Sequence, residues 1–153
     1  MLKRIGRFVA AYVALALTMS AVAALWLSFG SLLAGALKPN QIAQILPVQL
    51  AITLTLISLR AFIAFACLWV IIHRYHYLSL WHFIIFGSIC GLFVFMTMPD
   101  VEGSVWTFSW RDLSHLPPGS QHDFAWLVIS GLVGGLAAGL VDGASRRSVI
   151  VRN

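Results

Sequence analysis

The sequence predicts an all-α, polytopic membrane protein: four transmembrane helices in one antiparallel bundle, with both termini on the cytoplasmic side. Three observations predict it. Hydrophobic residues make up 60% of the 153 and charged residues 10%, against about 45–50% and about 25% in soluble domains. A soluble fold of this length has too much exterior to hide that much apolar surface. Four runs, residues 8–29, 50–72, 82–98 and 124–141, come close to or exceed the roughly 20 apolar residues that cross a hydrocarbon core. When the chain is threaded through them, the basic residues segregate. Lys3, Arg4, Arg7, Arg74, Arg146, Arg147 and Arg152 fall on one side, and Lys38 and Arg111 on the other. Basic residues mark the cytoplasmic side, so the N- and C-termini are both expected inside.

Lipid-exposed backbone must satisfy its own hydrogen bonds, which makes each span a helix. The first span continues in apolar residues to Leu37. Its opening "MLKRIGR" and internal "SAVAA" share features with a signal peptide, but the apolar run extends well past that site and is expected to stay as a helix. Pro39 and Pro47 mark turns before the second span. Residues 73–81 make a tight inner connection. Residues 99–123 form the one sizeable loop, facing outward, with "HLPPGSQHD" breaking the chain before the fourth helix. Asp123 is placed to cap that helix. Trp69, Tyr75, Tyr77 and Trp81 gather at the inner boundary and Trp26, Trp106, Trp110 and Trp126 toward the outer one. Aromatic rings with a polar edge prefer both boundaries. The whole chain, 1–153, is one domain.

The second span, "TLTLISLRAFIAFACLWVII", carries Arg60 near its middle. Thirteen Leu, Ile, Phe or Val residues between positions 50 and 72 supply roughly −4 to −8 kcal/mol for insertion, against about +2.5 to +3.5 for a central Arg. The span inserts with its charge. A side chain about 6–7 Å long cannot reach either surface from mid-depth, so Arg60 is expected to face the bundle interior. Thr53, Arg60, Ala64, Cys67 and Arg74 follow one helical stripe, which suggests a protein-facing side. No carboxylate lies near that depth. The polar groups there are Thr53, Thr18, Ser20, Ser88 and Ser130, with Asp142 placed too far along the fourth helix. Arg60 is therefore assigned to helix carbonyls or lipid phosphate, to an acid from a partner chain, or to a ligand path.

The fourth span sets Gly131, Gly135, Gly139 and Gly143 four residues apart, with Gly134 and Ala138 beside them. Residues four apart stack on one helix face, giving a groove into which another backbone can press. Gly87 and Gly91 echo it in the third span, and Ala10, Ala14 and Thr18 in the first. Either the third and fourth helices pack on each other through this face, or it docks a partner or a second copy.

Little else in the sequence points to chemistry. Cys67 and Cys90 lie in apolar runs and form no CxxC pair; both are expected to be buried thiols. Asp112, His115, His122 and Asp123 are metal-ligand types around the outer turn, but their spacing matches no rigid motif. His73, His76 and His82 lack thiolates and carboxylates nearby. There is no nucleophile elbow, P-loop or HExxH helix, so neither an enzyme nor a cofactor is expected. A net charge of +5 is split between the termini and suits anionic headgroups better than nucleic acid. The ending "GGLAAGLVDGASRR" is similar to the ends of many short bacterial four-span proteins, which implies a bacterial inner membrane. The expected partners are the bilayer and a membrane protein or a second copy. The expected role is that of an accessory, assembly or immunity-like subunit working through helix association. A small transporter or channel with Arg60 lining an anion or proton path is the alternative. A metal-handling protein or membrane enzyme comes third.

Overall fold

A computed structural model describes residues 2–74, 79–97 and 120–150. Its regular elements are all helical: α1 (Leu2–Leu33), a short 3₁₀ turn (Pro39–Gln41), α2 (Ile42–Arg74), α3 (Leu80–Thr97) and α4 (Ser120–Ile150). Each of the four α-helices is long and apolar enough to cross a membrane. All start earlier than the apolar runs alone suggest, because polar and charged residues at their ends continue the helical hydrogen bonding.

The helix ends follow from local chemistry. α1 stops at Gly35, whose φ of +71° suits a residue without a β-carbon. The amides of Gly35 and Ala36 return to the carbonyls of Leu32 and Ser31, each at 3.0 Å, a Schellman ending. Pro39 opens the 3₁₀ turn as expected, and the Lys38 amide donates to the Gln41 side-chain oxygen at 3.0 Å. Pro47 does not mark a turn; it lies inside α2. Its ring removes one backbone bond near the helix start, and the helix runs on. Ser79 caps α3, its hydroxyl accepting from the Trp81 amide at 3.3 Å. Asp123 is not the cap of α4, which begins at Ser120.

Cross-helix contacts run in opposite chain directions for every neighbouring pair, so the bundle is antiparallel. Between α1 and α4 they are Arg7 to Asp142, Met19 to Gly134 and Trp26 to Trp126. Between α1 and α2 they are Tyr12 to Ser58, Ser20 to Thr53 and Ser28 to Gln49. Trp69 meets Phe83, and Arg60 meets Thr97, between α2 and α3. The helices thus close a ring in the order α2–α1–α4–α3, and the ring fills with Leu15, Met19, Ile57, Phe65, Phe83, Val94, Phe95 and Ala138.

α3 and α4 make the closest approach. A β-carbon on Gly87 would land on the Gly131 carbonyl and 2.6 Å from Gly135 Cα. One on Gly131 would land on the Gly87 carbonyl, and one on Gly135 would meet Phe83 O and sit 2.9 Å from Gly87 Cα. Gly91 faces the Leu127 carbonyl in the same way. The contact is reciprocal, backbone against backbone, and spans about two turns. Gly139 takes the side chains of Leu80 and Phe83, while Gly134 turns to Met19 and Leu15 of α1. This face of α4 is therefore filled from within the chain. Gly143 alone of the four stands open, with nothing within 4 Å of an added β-carbon. The alanine echo on α1 lies off the seam: Ala10 is exposed, and Ala11, Leu15 and Met19 are buried in its place.

Any side chain at the α3–α4 crossing must push two backbones apart. Gly131→Ala and Gly135→Ala are expected to destabilise the bundle by about 1–3 kcal/mol or more, as overpacking does. Gly143→Ala should be neutral or stabilise by up to about 1 kcal/mol through helix propensity. Thermal unfolding in detergent of the three variants checks the contrast.

Candidate functional site: the buried arginine and its surroundings

Side chains on a helix lean toward its N-terminus. Arg60 therefore reaches toward the end of α2 that begins at Ile42, the direction in which Thr97 of α3 lies. Its Nε donates to the Thr97 carbonyl at 3.1 Å and its Nη1 to the Leu56 carbonyl at 2.7 Å. The residue is 1% exposed, and these bonds hold its guanidinium between α2 and α3. Arg60 is thus interior, the 19th of the 33 residues of α2.

The remaining polar residues do not gather round the guanidinium. The Thr53 hydroxyl reaches the carbonyls of Gln49 at 2.9 Å, Leu50 at 3.1 Å and, across the seam, Ser20 at 3.1 Å. Its single proton can serve one of these at a time. Thr18 donates to Ala14 O at 2.7 Å, Ser88 to Ile84 O at 3.2 Å, and Ser130 to Leu127 O at 2.8 Å, each within its own helix. The Ser20 hydroxyl is fully buried with no partner among the described residues. Near the far end, Ser28 Oγ meets both the Ala24 carbonyl at 2.9 Å and the Gln49 side-chain oxygen. One hydroxyl cannot donate to both. Exchanging oxygen and nitrogen of the Gln49 amide lets its NH₂ donate to Ser28 instead.

The stripe read from the sequence holds for Thr53, Arg60 and Ala64, all buried, and fails for Cys67 and Arg74, both exposed. The seam moves round α2 to Phe65, Leu68 and Ile72. Cys90 is buried as expected, whereas Cys67 faces outward. Asp112, His115, His122 and Asp123 lie outside the residues whose side chains are described. Among the described residues, no three His, Cys, Asp or Glu come together.

A second charged group was not legible as a partner. Arg7 donates to Asp142 Oδ1 through Nε at 2.9 Å and also through Nη2. The Arg7 side chain is 24% exposed and that of Asp142 2%, so the acid is desolvated and the base half-wet. The pair ties the first helix to the last. At the opposite end of the same two helices, Trp26 and Trp126 stack with centroids 4.1 Å apart. Nineteen residues of α1 separate Arg7 from Trp26, about 28 Å of helix rise, close to the roughly 30 Å of a hydrocarbon core.

Arg60→Met removes the donors to Thr97 and also the cost of burying a charge, so a net loss of about 1–3 kcal/mol is expected. Amide hydrogen exchange in the last turn of α3 should rise more than elsewhere, and Arg60→Lys should recover part of the protection. In a double-mutant cycle, Arg7→Met alone should destabilise more than Arg7→Met with Asp142→Leu, because the single change strands a buried carboxylate. Thermal melts of the three variants check the order. No protein family, no curated protein and no solved structure matches this chain.

Proposed function

We propose that the protein is a small multi-pass subunit of a bacterial inner membrane, with both termini cytoplasmic, and that it acts by associating with other membrane helices. An accessory, assembly or immunity-like role fits. The observation that carries this reading is how Arg60 is used: its Nε and Nη1 donate to main-chain carbonyls of two helices. A guanidinium so committed acts as an internal clamp. With most of the α4 glycines also spent inside the chain, what the bundle offers a neighbour is its outward apolar surface. Val48, Ile52 and Leu59 form such a face on α2.

Extraction in mild detergent followed by mass measurement tests the proposal. A stoichiometric assembly heavier than the 16.8 kDa chain is expected, and Val48→Ser with Ile52→Ser on the outward face of α2 should weaken it while leaving the fold intact. Gly135 variants do not report on a partner, because they break the α3–α4 contact first. A solitary chain in native lipid, together with ion flux in liposomes that Arg60→Lys alters, would replace this reading with the transporter alternative.

A further inference from the structure

The end of the bundle that holds Arg7 and Asp142 carries a charge imbalance that packing does not absorb. Phe8 meets Trp69 edge to face with centroids 5.5 Å apart, which sets the start of α1 beside the end of α2. One turn before Phe8 comes Arg4, and five residues after Trp69 comes Arg74; both are exposed. Trp69 in turn meets Phe83, which brings the start of α3 to the same end. There Trp81 is 71% exposed, and Val70 on α2 is 66% exposed. By register, Arg146 and Arg147 follow Asp142 by about one turn on α4. The compensating acid is already used, because Asp142 is held by Arg7. The other four acidic residues, Asp100, Glu102, Asp112 and Asp123, all come in the sequence between α3 and the first turn of α4, and antiparallel packing puts the start of α4 at the opposite end.

We infer that this end is an interaction surface for anionic phospholipid headgroups, with Arg4 and Arg74 meeting lipid phosphates and Trp81 seated at the headgroup boundary. Guanidinium recognises phosphate through a charged fork of N–H donors. An indole with one apolar side and one N–H donor belongs at that boundary. Exposed Val70 and the apolar side of α1 below Arg4 would lie against the acyl chains of the same lipid. The surface combines a headgroup site with an acyl-chain face, which free phosphate would not use. It is independent of whatever the outward helix faces bind.

The test uses the full chain in a neutral detergent, titrated separately with phosphatidylglycerol, phosphatidylcholine and inorganic phosphate, with the unfolding temperature as readout. A ligand that binds the folded state raises that temperature with concentration. Phosphatidylglycerol should do so, and phosphatidylcholine and phosphate should not. Arg4→Gln and Arg74→Gln should each weaken the apparent affinity for phosphatidylglycerol about fivefold, with helix content and the lipid-free unfolding temperature unchanged because both side chains are exposed. Lys38→Gln, at the other end, should leave it unaltered. Equal stabilisation by the two lipids, an equal effect of inorganic phosphate, or a double Arg4→Gln/Arg74→Gln variant that still responds like the parent would each overturn the inference.

Discussion

A buried guanidinium must find acceptors where water cannot supply them, and Arg60 finds them in the backbones of two helices. Its Nε donates to the Thr97 carbonyl of α3 at 3.1 Å and its Nη1 to the Leu56 carbonyl of α2 at 2.7 Å. The seam between α2 and α3 is thereby tied by a charge-assisted bond. These bonds offset part of the cost of holding an arginine inside the bundle.

The rest of the packing divides between two kinds of contact. α3 and α4 meet through bare backbone at Gly87, Gly91, Gly131 and Gly135, where close approach multiplies small attractions. α1 and α2 meet through bulk, with Phe8, Tyr12, Phe62, Phe65 and Trp69 in edge and tilted ring contacts and Tyr12 donating to the Ser58 carbonyl at 2.9 Å. A narrow pair and a wide pair thus stand side by side. α4 serves both, since Gly134 faces α1 while Gly131, Gly135 and Gly139 face α3.

The helices were legible because apolar runs of membrane length leave few alternatives, and Gly87, Gly91, Gly131 and Gly135 announced a close crossing through their spacing alone. That the third and fourth helices pack on each other was one of two readings of that spacing, and the reciprocal glycine contacts bear it out. The start of α2 was missed because Pro47, Gln44 and Gln49 imitate a loop, although helical bonding carries through them. Arg60 was recognised as interior with helix carbonyls among its expected acceptors, and those of Thr97 and Leu56 are two of them. That one would come from α3 was not legible, since the spacing of residues on α2 is silent about its neighbours. Asp142 was set aside as too distant from Arg60. Its partner, Arg7, entered the sequence reading only as one of the basic residues that orient the spans.

The link between Arg7 and Asp142 joins positions 135 residues apart. At about 5–20 residues per second, a ribosome needs on the order of ten seconds to travel that far. During that interval the first helix is already made while its ionic partner, its glycine cleft and its stacking tryptophan are still unsynthesised. The ring can shut only once translation has passed the last span. Until then α1 waits with one flank uncovered, so chaperoning of that flank in the nascent protein is as much a requirement of this architecture as the finished contacts are.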